Sequence, residues 1–217
     1  MSTPRPVSSL GAHRLRREGR AARRMLIVLA HPVPESFVAA VAERAAAAFE
    51  VSGHEVRMLD LYAEDFDGRL SQEEWRTRAA ASTWTHLTTH VDALRWADGL
   101  VFVYPTWFGA QPAILKGWFD RVWGEGVAYD VPTDGGRVRG RLKNIESIDV
   151  LTTHGSGKFM NSLQGEPGKR VILRGMRSMC GLRCRTSWIA FYGNDQATDA
   201  DRHAFLDRVS ARLTKKS

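Results

Sequence analysis

One stretch constrains this chain more than any other: residues 100–129, LVFVYPTWFGAQPAILKGWFDRVWGEGVAY. Residues 100–104 form an unbroken run of apolar, β-branched and aromatic side chains, which suits a parallel strand covered on both faces. Pro105 ends the run. Pro112 fits the first turn of a helix, where its missing N–H breaks no hydrogen bond, and Ile114, Leu115, Trp118, Phe119 and Val122 fall on one helical stripe. Strand, turn and helix in succession are the unit of an open α/β sheet, whose ligands sit at the carboxyl ends of the strands. The turn here carries Thr106, Trp107, Phe108 and Gly109. A flat apolar ligand packs on such rings while hydroxyl and backbone groups address its polar rim. An ordinary place in the core is the competing role for either ring alone.

The rest of the chain repeats the unit. Residues 25–30, MLIVLA, form a first core strand, followed by the loop His31-Pro32-Val33-Pro34-Glu35-Ser36 and an alanine-rich helix over 37–51. Ser36 stands at that helix's N-cap, where first-turn N–H groups and the helix dipole favour an anion. Residues 54–61 supply a second strand, and residues 62–82 a long polar excursion with a short helix near 71–78. Its length suggests a binding or dimer-contacting segment. Residues 84–97 are helical, with Leu87, Val91, Leu94 and Trp96 or Ala97 turned inward. A hydrophilic loop with Arg137, Arg139, Arg141 and Lys143 precedes the fourth strand, 145–151, which ends in Thr152, Thr153, His154, Gly155, Ser156 and Gly157. A helix over 171–182, a fifth strand over 185–192 and a last helix over 199–213, capped by Thr198, complete the chain. Five strands alternating with helices predict a flavodoxin-like, doubly wound parallel sheet of order 2-1-3-4-5 with helices on both faces. Its switch point lies between the strands that precede His31 and Pro105.

The formal charge of +7 over 217 residues invites comparison with nucleic-acid binders, but its distribution argues against that partner. Residues 1–24 carry seven arginines against Glu18, leaving only about one unit for residues 25–217. The expected division is therefore a basic, disordered leader over 1–24 and one domain over 25–217. A transit peptide and a true start at Met25 are the alternatives to that tail. No apolar run reaches membrane-spanning length. Cys180 and Cys184 are too few and wrongly spaced for a zinc site or a CxxC pair, so reduced thiols in a cytoplasmic protein are expected, with no metal.

No triad, phosphate-binding glycine-lysine loop or spaced carboxylate pair is present. The converging loops instead suit a flat aromatic cofactor that carries the chemistry itself. The segments LAHPVPESF, VYPTWFGAQPAILKGWFDRVWGEGVAY, TTHGSG and SLQG resemble the NAD(P)H:quinone oxidoreductases, the DT-diaphorase-like flavoproteins, over about residues 25–213. The resemblance implies a flavin held by His31, Ser36 and Phe37 at its phosphate, by Pro105, Thr106, Trp107 and Phe108 at its ring system, and by Thr152, Thr153, His154 and Gly155 at the ring's other polar edge. It implies FAD, with FMN as the alternative, and NAD(P)H as donor. Hydride then passes through flavin N5 to a quinone or similar flat acceptor in ping-pong order. It also implies a homodimer with sites at the subunit interface.

The chain departs from the family in three places. Val38 follows Phe37 where the family often has asparagine. His154 replaces the first glycine of the family's Thr-Thr-Gly-Gly. The tyrosine and histidine that flank the Ser-Leu-Gln-Gly run in mammalian members are Asn161 and Glu166-Pro167 here. His154 is the candidate replacement for their proton-handling role. A flavin-binding regulatory subunit of a membrane transporter is the alternative function.

Overall fold

The computed structural model describes residues 21–77 and 86–215; the leader expectation over 1–20 and the excursion's residues 78–82 lie outside them. The core is a five-stranded parallel sheet of spatial order β2-β1-β3-β6-β7, formed by β1 (Arg24–Leu29), β2 (Glu55–Asp60), β3 (Gly99–Pro105), β6 (Ser147–His154) and β7 (Arg185–Tyr192). Renumbered by parallel strand, this is the expected 2-1-3-4-5. Two further strands, β4 (Tyr129–Asp130) and β5 (Arg139–Gly140), make a small antiparallel hairpin inside the arginine-rich loop, which the sequence showed only as hydrophilic.

Each central strand is sealed on both sides, as its apolar run requires. One face packs beneath α1 (Phe37–Val51) and α7 (Asp199–Thr214), where Val41, Ala45, Phe49, Phe205 and Val209 meet Ile27, Val101 and Leu151. The other face is covered by α3 (Thr88–Trp96) and α4 (Ala113–Val122), with Leu94, Leu115, Trp118 and Val122 on Leu26, Leu100 and Phe102. Of the stripe expected on α4, only Ile114 is partly exposed. The small α1 side chains allow close approach to the sheet, and Ser36 caps α1 by accepting the Ala39 N–H at 3.1 Å. At α7, Thr198 and Asp201 form a reciprocal capping box.

Several boundaries differ from the sequence expectation. β1 opens at Arg24, whose side chain makes two hydrogen bonds to Asp98 while its N–H donates to the same carboxylate. β6 runs past Leu151 through Thr152, Thr153 and His154, all buried: polar residues continue the ladder because their side chains find partners inside. The helix expected over 171–182 is a composite of α6 (Pro167–Arg170), a π turn at Val171–Gly175 and a 3-10 turn at Met176–Met179. An unforeseen short helix, α5 (Lys158–Leu163), precedes it. The excursion does contain a short helix, α2 (Gln72–Thr77).

Candidate active site

Three loops leave the carboxyl ends of β1, β3 and β6 side by side. Register sets this: Tyr104 lies opposite Thr152 and Pro105 opposite Thr153, and the Thr106 N–H donates to the Thr153 carbonyl at 2.7 Å. In the β1 loop, His31 Nδ1 accepts the Val33 N–H at 3.0 Å and shapes the path toward α1. The Phe37 ring packs on Phe191 and Phe205, with centroids 5.3 and 6.0 Å away. Its offering to an anion is therefore the backbone N–H, which like that of Val38 has no partner within the helix. Ser36 Oγ accepts the cap bond and keeps its own O–H as a donor. Val38 is buried in the helix–sheet core, so apolar packing occupies the position where the resembled pattern has a polar side chain.

The β3 loop is a tight turn under strain. Trp107 and Ala110 exchange backbone hydrogen bonds at 3.1 and 3.0 Å, and the two residues between them both have positive φ, 49° at Phe108 and 75° at Gly109. That is the signature of a two-residue primed turn, for which glycine or asparagine is preferred and phenylalanine is disfavoured. The Phe108 side chain gains no burial in return: it is fully exposed, and Trp107 is 44% exposed. Phe159, Met160 and Leu163 of α5 are exposed too. The α5–α6 segment adjoins the turn through the Gly168 N–H, which donates to the Gly109 carbonyl at 3.2 Å.

Behind the turn lies a connected polar network. Asn161 Nδ2 donates to the carbonyls of Ser156 (3.1 Å) and Gly157 (2.9 Å), which orients its amide and aims Oδ1 at His154 Nδ1, 2.7 Å away. Burial holds His154 below the ordinary histidine range, against smaller opposing effects of Asn161 and Glu166. The network thus assigns a neutral imidazole with its proton on Nδ1. Nε2 then offers a lone pair to Thr106 Oγ1 at 3.4 Å, and that hydroxyl lies 2.9 Å from Thr152 Oγ1. His154 also stacks on Tyr192, with ring centroids 4.6 Å apart. Tyr192 donates its O–H to Glu166 Oε1 at 2.6 Å, and Lys169 Nζ lies 3.1 Å from Glu166 Oε2. Burial pushes the Tyr192 hydroxyl up to about 12, helped by its bond to Glu166. Burial also pushes Glu166 upward, but the Tyr192 and Lys169 contacts outweigh it and leave the carboxylate below its ordinary range.

A profile for the flavodoxin-like fold matches residues 23–213. Human ribosyldihydronicotinamide dehydrogenase (quinone) is 29% identical over 219 aligned residues, 89% of this chain and 91% of the human protein. NAD(P)H dehydrogenase (quinone) 1 of Cavia porcellus is 36% identical over 70% of this chain and 61% of its own length. Among solved structures, the NAD(P)H:quinone oxidoreductase from Methanothermobacter marburgensis matches with a TM-score of 0.76 at 29% identity, over 90% of this chain and 98% of that one. The chain belongs to the NAD(P)H:quinone oxidoreductase family.

The residues present fit the flat cofactor that the family resemblance implies. Half-buried and buried hydroxyls at Thr106 and Thr152 stand beside exposed rings, and one loop away a helix start offers first-turn N–H groups and a free hydroxyl proton. Gly155 is no evidence either way, since a Cβ there would strike the Asp195 carboxylate behind it. Tyr192, Glu166 and Asn161 escaped the sequence reading as a group. Asn161 and Glu166 figured there only as substitutions, and Tyr192 only as a strand residue; their connection runs between elements 26 residues apart and leaves no local pattern.

Proposed function

We propose that this protein is a flavin-dependent NAD(P)H oxidoreductase whose acceptor is a quinone or a similar flat aromatic molecule, with FAD as the expected cofactor and FMN the alternative. The observation that carries this reading is the Trp107-Phe108 turn. It holds an unburied ring in a strained backbone, at the switch point of the sheet and beside two hydroxyl-bearing loops. Strain kept without a packing return is a mark of function. A flavin held by these loops would supply two-electron transfer between a nicotinamide donor and the acceptor, with ping-pong order expected of a shared pocket.

The chain's own residues bind and orient. Ser36 Oγ–H and the N–H groups of Phe37 and Val38 hold a phosphate at the positive end of α1. Trp107 and Phe108 wall the ring site and keep water from it. Thr106 is fixed by His154 and Thr152 so that its hydroxyl presents a set direction to a ring heteroatom. His154, buried and engaged at both nitrogens, acts as a positioning residue. A second copy of the chain covers the exposed Trp107, Phe108, Phe159, Met160 and Leu163, and the enzyme works as a cytoplasmic homodimer. Among the described residues, no helix is long and apolar enough to cross a membrane.

The test is an absorbance spectrum of the purified protein, with the flavin released and identified by mass, before and after anaerobic NADPH. A flavin spectrum that bleaches supports the proposal, and parallel lines in double-reciprocal plots support ping-pong order. A colourless protein that takes up neither FAD nor FMN overturns it.

A further inference from the structure

At the opposite, amino-terminal end of the sheet lies a cavity of about 440 Å³ whose walls include Arg23, Arg177, Arg185, Asp149 and the thiol-bearing Cys184. It is remote from the loops above and takes no part in the proposed reaction. Cys184 and Cys180 are both free and buried, Cys180 just before and Cys184 at the end of a tight turn closed by the Cys184 N–H donating to the Gly181 carbonyl at 2.9 Å. Arg177 clamps the turn, donating from Nε to the Cys184 carbonyl at 2.9 Å and from Nη2 to the Leu182 carbonyl at 3.1 Å. The two thiols are close enough to influence each other's ionisation, with Cys180 Sγ on the Met176 carbonyl at 3.9 Å and Cys184 Sγ on the Arg185 carbonyl at 3.8 Å, and Cys184 alone of the pair lines the cavity.

We propose that Cys184 and Cys180 are a redox-active dithiol, with Cys184 the attacking thiol and Cys180 the resolving one, and that the guanidinium-lined cavity admits a small carboxylate-bearing disulfide as oxidant. The roles follow from the surroundings. Cys184 is the sulfur that the cavity opens to, beside Arg177 and Arg185, and the neighbouring Cys180 thiol with the positive charges of Arg177 and Arg23 holds it below its ordinary range, against burial and the charge of Asp149. Cys180, which does not line the cavity, is pushed up by its neighbour Cys184 and by burial. A thiolate is the nucleophile in exchange, so the thiol that ionises first attacks first.

In the first step the Cys184 thiolate attacks one sulfur of the disulfide RSSR. A Cys184–SR bond forms, the S–S bond breaks, and RS⁻ leaves to take a proton from water. In the second, Cys180 loses its proton to water and attacks the Cys184 sulfur, expelling the second RS⁻. The two protein thiols are oxidised by two electrons and RSSR is reduced to two RSH. This reaction stands apart from the flavin reading, and neither experiment decides the other.

The probe is oxidised glutathione, added to the purified full chain with whatever cofactor it carries, followed by alkylation and trypsin digestion without reductant. Arg183 lies between the cysteines, so trypsin separates 178–183 from 184–185 unless a disulfide joins them. The expected result is the joined pair. Cys180→Ser should stop at a glutathionyl group on Cys184. In Cys184→Ser the remaining thiol, which does not open to the cavity, should react at least about tenfold more slowly. A folded chain that stays unmodified while its urea-unfolded form reacts at both cysteines overturns the proposal. So does Cys184→Ser acquiring the adduct at Cys180 as fast as the wild type forms its disulfide.

Discussion

The two halves of residues 100–129 use their polar and special residues in opposite ways. In α4, Arg121 donates from Nε and Nη2 to Glu74 Oε1, at 2.9 and 2.6 Å, and from Nη1 to the Asp67 carbonyl. The Glu74 carboxylate also accepts the Ser71 N–H at 2.7 Å and meets His86 Nε2 at 2.8 Å. Gly117 lets the backbone of Gly68 lie directly on the helix, for any Cβ there would collide with Gly68. Every unusual choice in this half binds the polar excursion to the core. One turn earlier, Phe108 occupies a conformation that suits glycine and packs on nothing. A charged pair that is fully met on all sides is architecture, whereas strain left without a return marks a surface awaiting a ligand.

Gly117→Ala should test the architectural half most severely. Neither backbone can retreat without moving α4 or the excursion, so we expect a loss of more than about 4 kcal/mol, the range of overpacking with no escape, read as the urea midpoint. Arg121→Ala should cost about 3–5 kcal/mol by leaving the Glu74 charge buried. Pairing it with Glu74→Ala in a double-mutant cycle should recover part of that loss. Equal and additive losses would show that the pair contributes nothing jointly. Burial alone would raise Glu74, yet its hydrogen bonds to Ser71, Arg121 and His86 depress it to about 2. With the folded value below the unfolded one, its contribution is complete above about pH 4.5 and disappears as pH falls toward 2. Glu74→Gln should flatten that stretch of the stability profile.

The polar network behind the turn stands between the two cases. His154→Ala removes the partner of Asn161 Oδ1 and of Thr106, and should cost about 1–3 kcal/mol, the penalty of an unmet buried polar group. If His154 positions Thr106, flavin affinity should fall while the pH dependence of kcat keeps its shape; a lost titration in kcat would instead make it a proton carrier. The wild type should also lose stability below about pH 6.5, because a buried neutral histidine resists protonation in the folded state alone. His154→Ala should not show that component.

The centre of the sheet was legible because its two strands there are continuous apolar runs: residues 25–30 and 100–104 permit little else. The end of β6 was not, since Thr152, Thr153 and His154 look like loop residues until their partners Thr106 and Asn161 are known. Gly117 and Arg121 were visible only as part of a family motif. Their physical reasons, Gly68 and Glu74, lie more than 40 positions earlier, and no local period connects them. The candidate site was half legible for the same reason. Two prolines flanking a pair of aromatics and a glycine announce a turn at 105–112, but the exposure and backbone strain of Phe108 depend on the Trp107–Ala110 pairing, and the Tyr192–Glu166 bond on the meeting of β7 with α6.

The smallest expected effect has the opposite sign to the others and so separates the two halves most sharply. Phe108→Asn gives the turn the Asn-Gly pair that primed hairpin turns prefer. It relieves a left-handed backbone for which phenylalanine is poorly suited, and because the ring is fully exposed it gives up no burial within the chain. Stability of the isolated chain should rise by about 0.5–1 kcal/mol, while turnover with a quinone acceptor falls through the lost ring wall. Any comparable substitution in the α4 clamp can only lower stability. If Phe108→Asn instead destabilised the protein, the ring would have to be packed in solution. The measured loss would then grow with protein concentration if the packing partner is a second copy of the chain, because dimer stability follows mass action.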